Sequence, residues 1–249
     1  MDLSAVQRYC GGQWTGEQRR TDQMLRVMSH ILPDELFLEL SAAMIDGVPN
    51  LLNAELPSKE VASLLATPNL PTVAKNPELV DKAILKEERN HLSMVFSSHL
   101  TAFTPNLGII KLGILLDKKH KKPRMYRHGS YISEDSTHPI NKLVDCELSE
   151  PAIGYANVLK EHSAYLWRPA AQYPGCNIDS YDDNVSGAFP QVNPHPDVAR
   201  ANVSIHGNKM IVAVALHFGG NYGPASWEPI ARARCFLARW MYKHTTYQE

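Results

Sequence analysis

Between Ala201 and Ala215 the chain reads as two short apolar runs, Ala201 to Ile205 and Met210 to Ala215, parted by His206-Gly207-Asn208-Lys209. Such runs around a Gly-Asn pair specify an antiparallel hairpin, because Gly supplies the positive φ that a two-residue turn needs. From Pro224 the period changes. Trp227, Ile230, Ala233, Leu237 and Trp240 recur at helical spacing, while Arg232, Arg234 and Arg239 fall mostly elsewhere. Lys243 and His244 then place cations where a helix C-terminus favours them.

Upstream, residues to about Phe103 read as helical. Asp34 follows Pro33 and opens Leu36, Phe37, Leu40, Ala43 and Met44 on one face, until Gly47 and Pro49 stop the run. Asn76 and Pro77 supply an N-cap and a first-turn proline for a second helix, with Leu79, Val80, Ala83 and Ile84 apolar and Glu87, Glu88 and Arg89 solvated. Thr67-Pro68-Asn69-Leu70-Pro71 between them is a loop. Past Pro105 come short apolar runs: a strand over Ile109 to Leu116, a basic cluster of Lys118, Lys119, Lys121, Lys122 and Arg124, and a second strand near Met125 to Ile132. The expected class is α+β, with a helical N-terminal region over 1–104 and a second unit over 105–249.

Composition narrows function less than fold. A 249-residue chain with 44% hydrophobic and 20% charged residues is ordinary for a globular protein. Its formal net charge of -1 gives no overall attraction for nucleic acid, so any basic surface is local. Cys10, Cys146, Cys176 and Cys235 are far apart and contain no Cys-x-x-Cys pair, so they read as reduced thiols rather than zinc ligands or a disulfide framework. Neither a signal pattern nor an apolar run of ~18 residues is present, and the expectation is an intracellular protein of cytoplasm or nucleus with no membrane partner.

Two segments carry more chemistry than the rest. The first is Asn184-Val185-Ser186-Gly187-Ala188-Phe189-Pro190-Gln191-Val192, followed by His195-Pro196-Asp197. The second runs from Leu216-His217-Phe218-Gly219-Gly220 to Gly223-Pro224-Ala225-Ser226-Trp227. In this order, with the hairpin between them, they resemble the palm of reverse transcriptases from gypsy-type retrotransposons and related retroelements. The resemblance covers roughly residues 107 to 243 and implies a truncated fragment, with fingers and the first half of a palm. It implies template-directed nucleotidyl transfer by two Mg²⁺ ions, with an RNA or DNA template-primer and dNTP as partners. It assigns Phe189 to the sugar gate, and Phe218 with Gly219 to the surface under the nascent base pair. Ile114 to Arg124 resembles the fingers hairpin over the incoming triphosphate. There Arg124 is the better match, and Lys118 is the lysine carried as its partner among several candidates. Ser130 and Asn141, followed by Lys142, echo the Asp-x-x-x-x-Asn region beyond that hairpin.

The departures are as informative. Asn184 stands where the family has its first metal-binding Asp, and one neutral carbonyl oxygen is a poor substitute for a carboxylate. Asp183 is adjacent but points to the other face of an extended strand, so it becomes a metal ligand only through a one-residue slip or bulge; Asp182 points the right way from further back. The second pair, an aromatic-x-Asp-Asp hairpin, would follow the helix that ends near Lys243 and has no match before Glu249. Tyr181-Asp182-Asp183 has the form of that motif but precedes the first palm segment. The expectation is therefore a catalytically incomplete fragment. Its rivals are a non-catalytic nucleic-acid-binding or assembly protein derived from such an element, and a decayed remnant. His195-Pro196-Asp197 also matches the J-domain tripeptide, but strands are expected to follow it. Lys118 to Lys122 on its own is a solvated charge run, and Trp227 on its own is a core aromatic.

Overall fold

The computed structural model describes residues 1–3, 5–6, 21–48, 56–116, 123–132, 139–143, 163–164, 167–168, 170–175, 188, 192–217, 219–220 and 223–245. It is a mixed helix and strand structure. Helices α1 (Thr21–Met28), α2 (Asp34–Ile45), α3 (Ser58–Ala66), α4 (Pro71–Lys75) and α5 (Pro77–Arg89) lead into strand β1 (Ser93–Ser97). Then come β2 (Lys111–Leu116), β3 (Pro123–His128), β4 (Val203–His206), β5 (Lys209–Ala213) and helix α6 (Gly223–Thr245).

The hairpin read around Gly207 is present. β4 and β5 are antiparallel, with His206 opposite Lys209. Gly207 alone of the two turn residues has positive φ, at 57°, as a turn needing Gly at its first central position requires. β5 is the centre of a three-stranded sheet because β1 pairs with its other edge, Met94 opposite Val212 and Phe96 opposite Met210. β1 corrects the all-helical reading of the chain up to Phe103. After Asn90, His91 takes φ 55° and ends the helical path, and the five-residue run Ser93-Met94-Val95-Phe96-Ser97 is then recruited by an open sheet edge. The basic hairpin is also present, β2 and β3 pairing from Lys111 opposite His128 to Leu116 opposite Pro123.

The loop at Thr67 to Pro71 covers the other edge of β2. Leu70 N–H donates to Leu112 O at 3.1 Å, while Asn69 Oδ1 and Thr72 Oγ accept from Leu112 N and Ile114 N at 3.0 and 3.2 Å. Asn76 precedes α5 as expected, but its side chain makes no cap; it donates to Thr72 O at 2.9 Å. Near the end of α3, the buried Lys111 ammonium reaches back to the Leu64 and Thr67 carbonyls, which satisfies orphan acceptors of the last helical turn.

The cores are shared between the helical and strand-rich parts. Leu56, Leu64 and Met94 pack with Ile109, Ile110, Val203 and Val212. On the opposite side Val73, Val80 and Ile84 meet Leu112, Ile114 and Ile211. The stripe of α6 divides: Ala233 packs against Leu36 and Leu40 of α2, and the partly buried Trp227 against Ala43, Val48, Val192 and Leu216, while Trp240, read as a stripe residue, is exposed. Arg232, on the wet side, bridges to Glu39 at 2.8 Å and to Glu228.

Candidate functional site

Three elements meet at one corner of the fold: the end of α5, the end of β3 in the two-stranded sheet, and the chain leaving β5 of the three-stranded sheet. Arg127 sits on β3 opposite Leu112 with its side chain only 3% exposed. A cation so buried needs a partner, and Glu87 supplies it: Nη1 donates to Oε1 at 3.2 Å and Nη2 to Oε2 at 2.6 Å. Ser93 Oγ accepts from Arg127 Nη2 at 3.0 Å and donates to Glu87 Oε2 at 2.6 Å. Burial opposes ionisation of Glu87, but the Arg127 guanidinium, the Ser93 hydroxyl and His217 outweigh it and hold its pKa below the usual carboxylate value. Glu87 is thus a partner in a clamp between α5, β1 and β3, which corrects its reading as a solvated helix residue. The helical period put Glu87 beside Glu88 and Arg89, and only the fold brings Arg127 to it.

The same strand seats a second feature singled out in the sequence, Gly219. It has φ 104°, and a Cβ there would penetrate the Arg127 carbonyl oxygen, so only Gly fits. Asn141, buried just beyond the β3 exit, holds it from the other side. Its Nδ2 donates to Gly219 O at 2.9 Å and to Ser130 Oγ at 2.8 Å, and its backbone N–H donates to Gly129 O at 2.9 Å. Nearby, His217 is buried with Nε2 3.1 Å from Asn202 Oδ1.

Of the residues singled out in the sequence for the site, Arg124, Ser130, Asn141 and Gly219 are described; Arg124 is an exposed residue of β3. Lys118, Asp183, Asn184, Phe189 and Phe218 lie outside the described residues, as does Asp182. Among the described residues no group of three His, Cys, Asp or Glu side chains is arranged to hold a metal ion. The donor set that the resemblance implies, with a neutral amide at Asn184, does not fit Mg²⁺. Also among the described residues, no helix is long and apolar enough to cross a membrane.

A cavity of about 230 Å³ opens at this corner, lined among the described residues by Glu87, Leu92, Arg124, Met125, Arg127, Ala215, Leu216 and His217. Sequence reasoning pointed to Arg124 alone of these as a functional residue. Glu87 and Arg127 come from separate stretches with no shared motif, and His217, although inside the second quoted segment, carried no assigned role; the packing of α5 against β3 and the chain leaving β5 gathers them.

The chain matches no family model, no curated protein and no solved structure.

Proposed function

We propose that this chain is reverse-transcriptase-like, with fingers-like and palm-like parts, and that it binds a nucleic-acid template-primer while its first metal-binding position, Asn184, lacks the carboxylate that polymerisation needs. The observation that carries the reading is the hydrogen bond from Asn141 Nδ2 to Gly219 O, across 78 residues of chain. Asn141 and Gly219 belong to two segments that resemble the family independently, one beyond the fingers hairpin and one in the palm. The β4–β5 hairpin running into α6, and the basic hairpin of β2 and β3, support the same reading.

Asn184 favours binding over catalysis within this proposal. Two divalent ions between a primer hydroxyl and a triphosphate need carboxylate charge, and a carboxamide supplies none. What the chain retains is local positive charge on the basic hairpin, which suits phosphate contacts. Fluorescence anisotropy with an RNA–DNA primer–template over a salt series tests the proposal. Affinity is expected to fall linearly with log salt, and replacing Lys118 and Arg124 by Ala should weaken binding and reduce the slope by about one per lost phosphate contact. Binding unchanged by the double substitution at every salt concentration would reduce the cluster to a solvated face and remove the proposed interface.

A further inference from the structure

The two faces of the β2–β3 hairpin are built for different ends. Side chains alternate along a strand, so Leu112, Ile114 and Met125 enter the core and Arg127 its clamp with Glu87, while Gly113, Leu115, Arg124, Tyr126 and His128 share the other face. Gly113 and Tyr126 are directly opposite, and the phenol end of Tyr126 occupies the space that a Cβ at Gly113 would fill. The ring therefore lies over the Gly113 backbone, and Tyr126 stays partly exposed. His128 stands beside it, ring centroids 6.3 Å apart and planes tilted by 45°, and Tyr131 braces His128 edge-on at 6.1 Å and 85°. Lys111, opposite His128, is turned away to the α3 carbonyls, and neither strand carries an acidic residue.

We propose that Tyr126 is a stacking site for one unpaired base of a single-stranded nucleic acid, which rests on the reading of the chain as nucleic-acid-binding and adds to it a contact with a base. Any base offers a π-face that an aromatic ring accepts whatever the sequence, but in a duplex both faces are taken by neighbouring pairs, so the partner is a single strand. Gly113 beneath and His128 beside hold the ring in one position, and little side-chain freedom is lost when a base lands on it. Strands without acidic residues let the phosphates on either side of that base approach. Tyr126 and His128 have no role in the resemblance, whose contact on this hairpin is with the triphosphate through Arg124 and Lys118.

The test is fluorescence anisotropy of the full chain with two labelled probes of equal length and charge, an oligodeoxythymidylate of about twelve nucleotides and the same strand with every base removed. At one salt concentration the base-bearing strand should bind at least about fivefold more tightly than the abasic one, the low end of base–aromatic stacking. Tyr126→Leu, which keeps an apolar cover over Gly113 but no π-face, should bring the two affinities together without moving the affinity for the abasic strand or its salt dependence. Tyr126→Phe should keep the difference. A Tyr126 with a structural role alone would change the binding of both strands alike, and that result overturns the proposal; so does a difference that survives Tyr126→Leu, or a base-bearing strand bound no more tightly than the abasic one. Primer–template binding that falls with Lys118 and Arg124 while the strand difference ignores Tyr126 would sink this proposal alone. A Tyr126-dependent difference in a chain whose binding is indifferent to Lys118 and Arg124 would sink only the proposed basic interface.

Discussion

Arg127 and Lys111 show how differently a buried charge can be accommodated. Glu87 is answered by Arg127, and removing one partner of such a pair strands the other. Glu87→Gln should therefore destabilise the fold by about 3 kcal/mol at pH 7 in urea unfolding. Because the folded pKa of Glu87 lies below its ordinary value, its contribution is present above about pH 4.5 and is lost as pH falls through the depressed value. The stability gap between the unsubstituted chain and Glu87→Gln should accordingly narrow below pH 4.5; a gap constant to pH 3 would mean that the pair contributes no charge interaction. Lys111 has only carbonyl partners, and burial pushes its ammonium down to about 8. Here the unfolded chain holds the proton more tightly, so this residue should make stability rise between pH 8 and about 10.5. Comparing Lys111→Met with the unsubstituted chain over that range isolates the effect: the difference should change with pH, and parallel curves would count against it. Neither role was legible in the sequence. Lys111 looks like any polar residue of a half-exposed strand, and Glu87 sits at a solvent position of a helical wheel.

At the scale of elements, local chemistry was legible wherever a turn or a period acted alone. The Gly207 turn, the stripe of α6 and the two amphipathic helices α2 and α5 need little more than neighbouring residues to define them. β1 was missed because its five residues owe their conformation to the free edge of β5, a partner more than a hundred positions away. The contact between Gly219 and β3 belongs to this scale too. Gly219→Ala should cost roughly 3 kcal/mol, from the positive φ and the clash with the Arg127 carbonyl together, whereas Asn141→Ala, which deletes hydrogen bonds without a clash, should cost about 1–2 kcal/mol. Urea midpoints of the two variants check the order, and a harmless Gly219→Ala would mean that the chain after β5 does not rest on β3.

At the scale of the whole molecule, the α+β class could be read from the sequence, but the way the parts share their cores could not. Leu64 of the helical part packs with Met94, Val203 and Val212 of the sheet, and α2 packs on α6, so removing either part exposes the core of the other. The candidate site was legible as motifs only around Gly219, Asn141 and Arg124. Its other half, Glu87 with Arg127, depends on pairing between distant segments that carry no motif. The central claim, a palm that lacks metal-binding charge, is tested most directly by primer extension with Mg²⁺ on four proteins. These are the chain and its Asn184→Asp variant, each with and without an appended palm segment bearing an aromatic-x-Asp-Asp hairpin. Only the fusion carrying Asn184→Asp should extend a primer in a template-directed way, since only it presents carboxylates at both metal positions; extension by the unsubstituted chain alone would contradict the account.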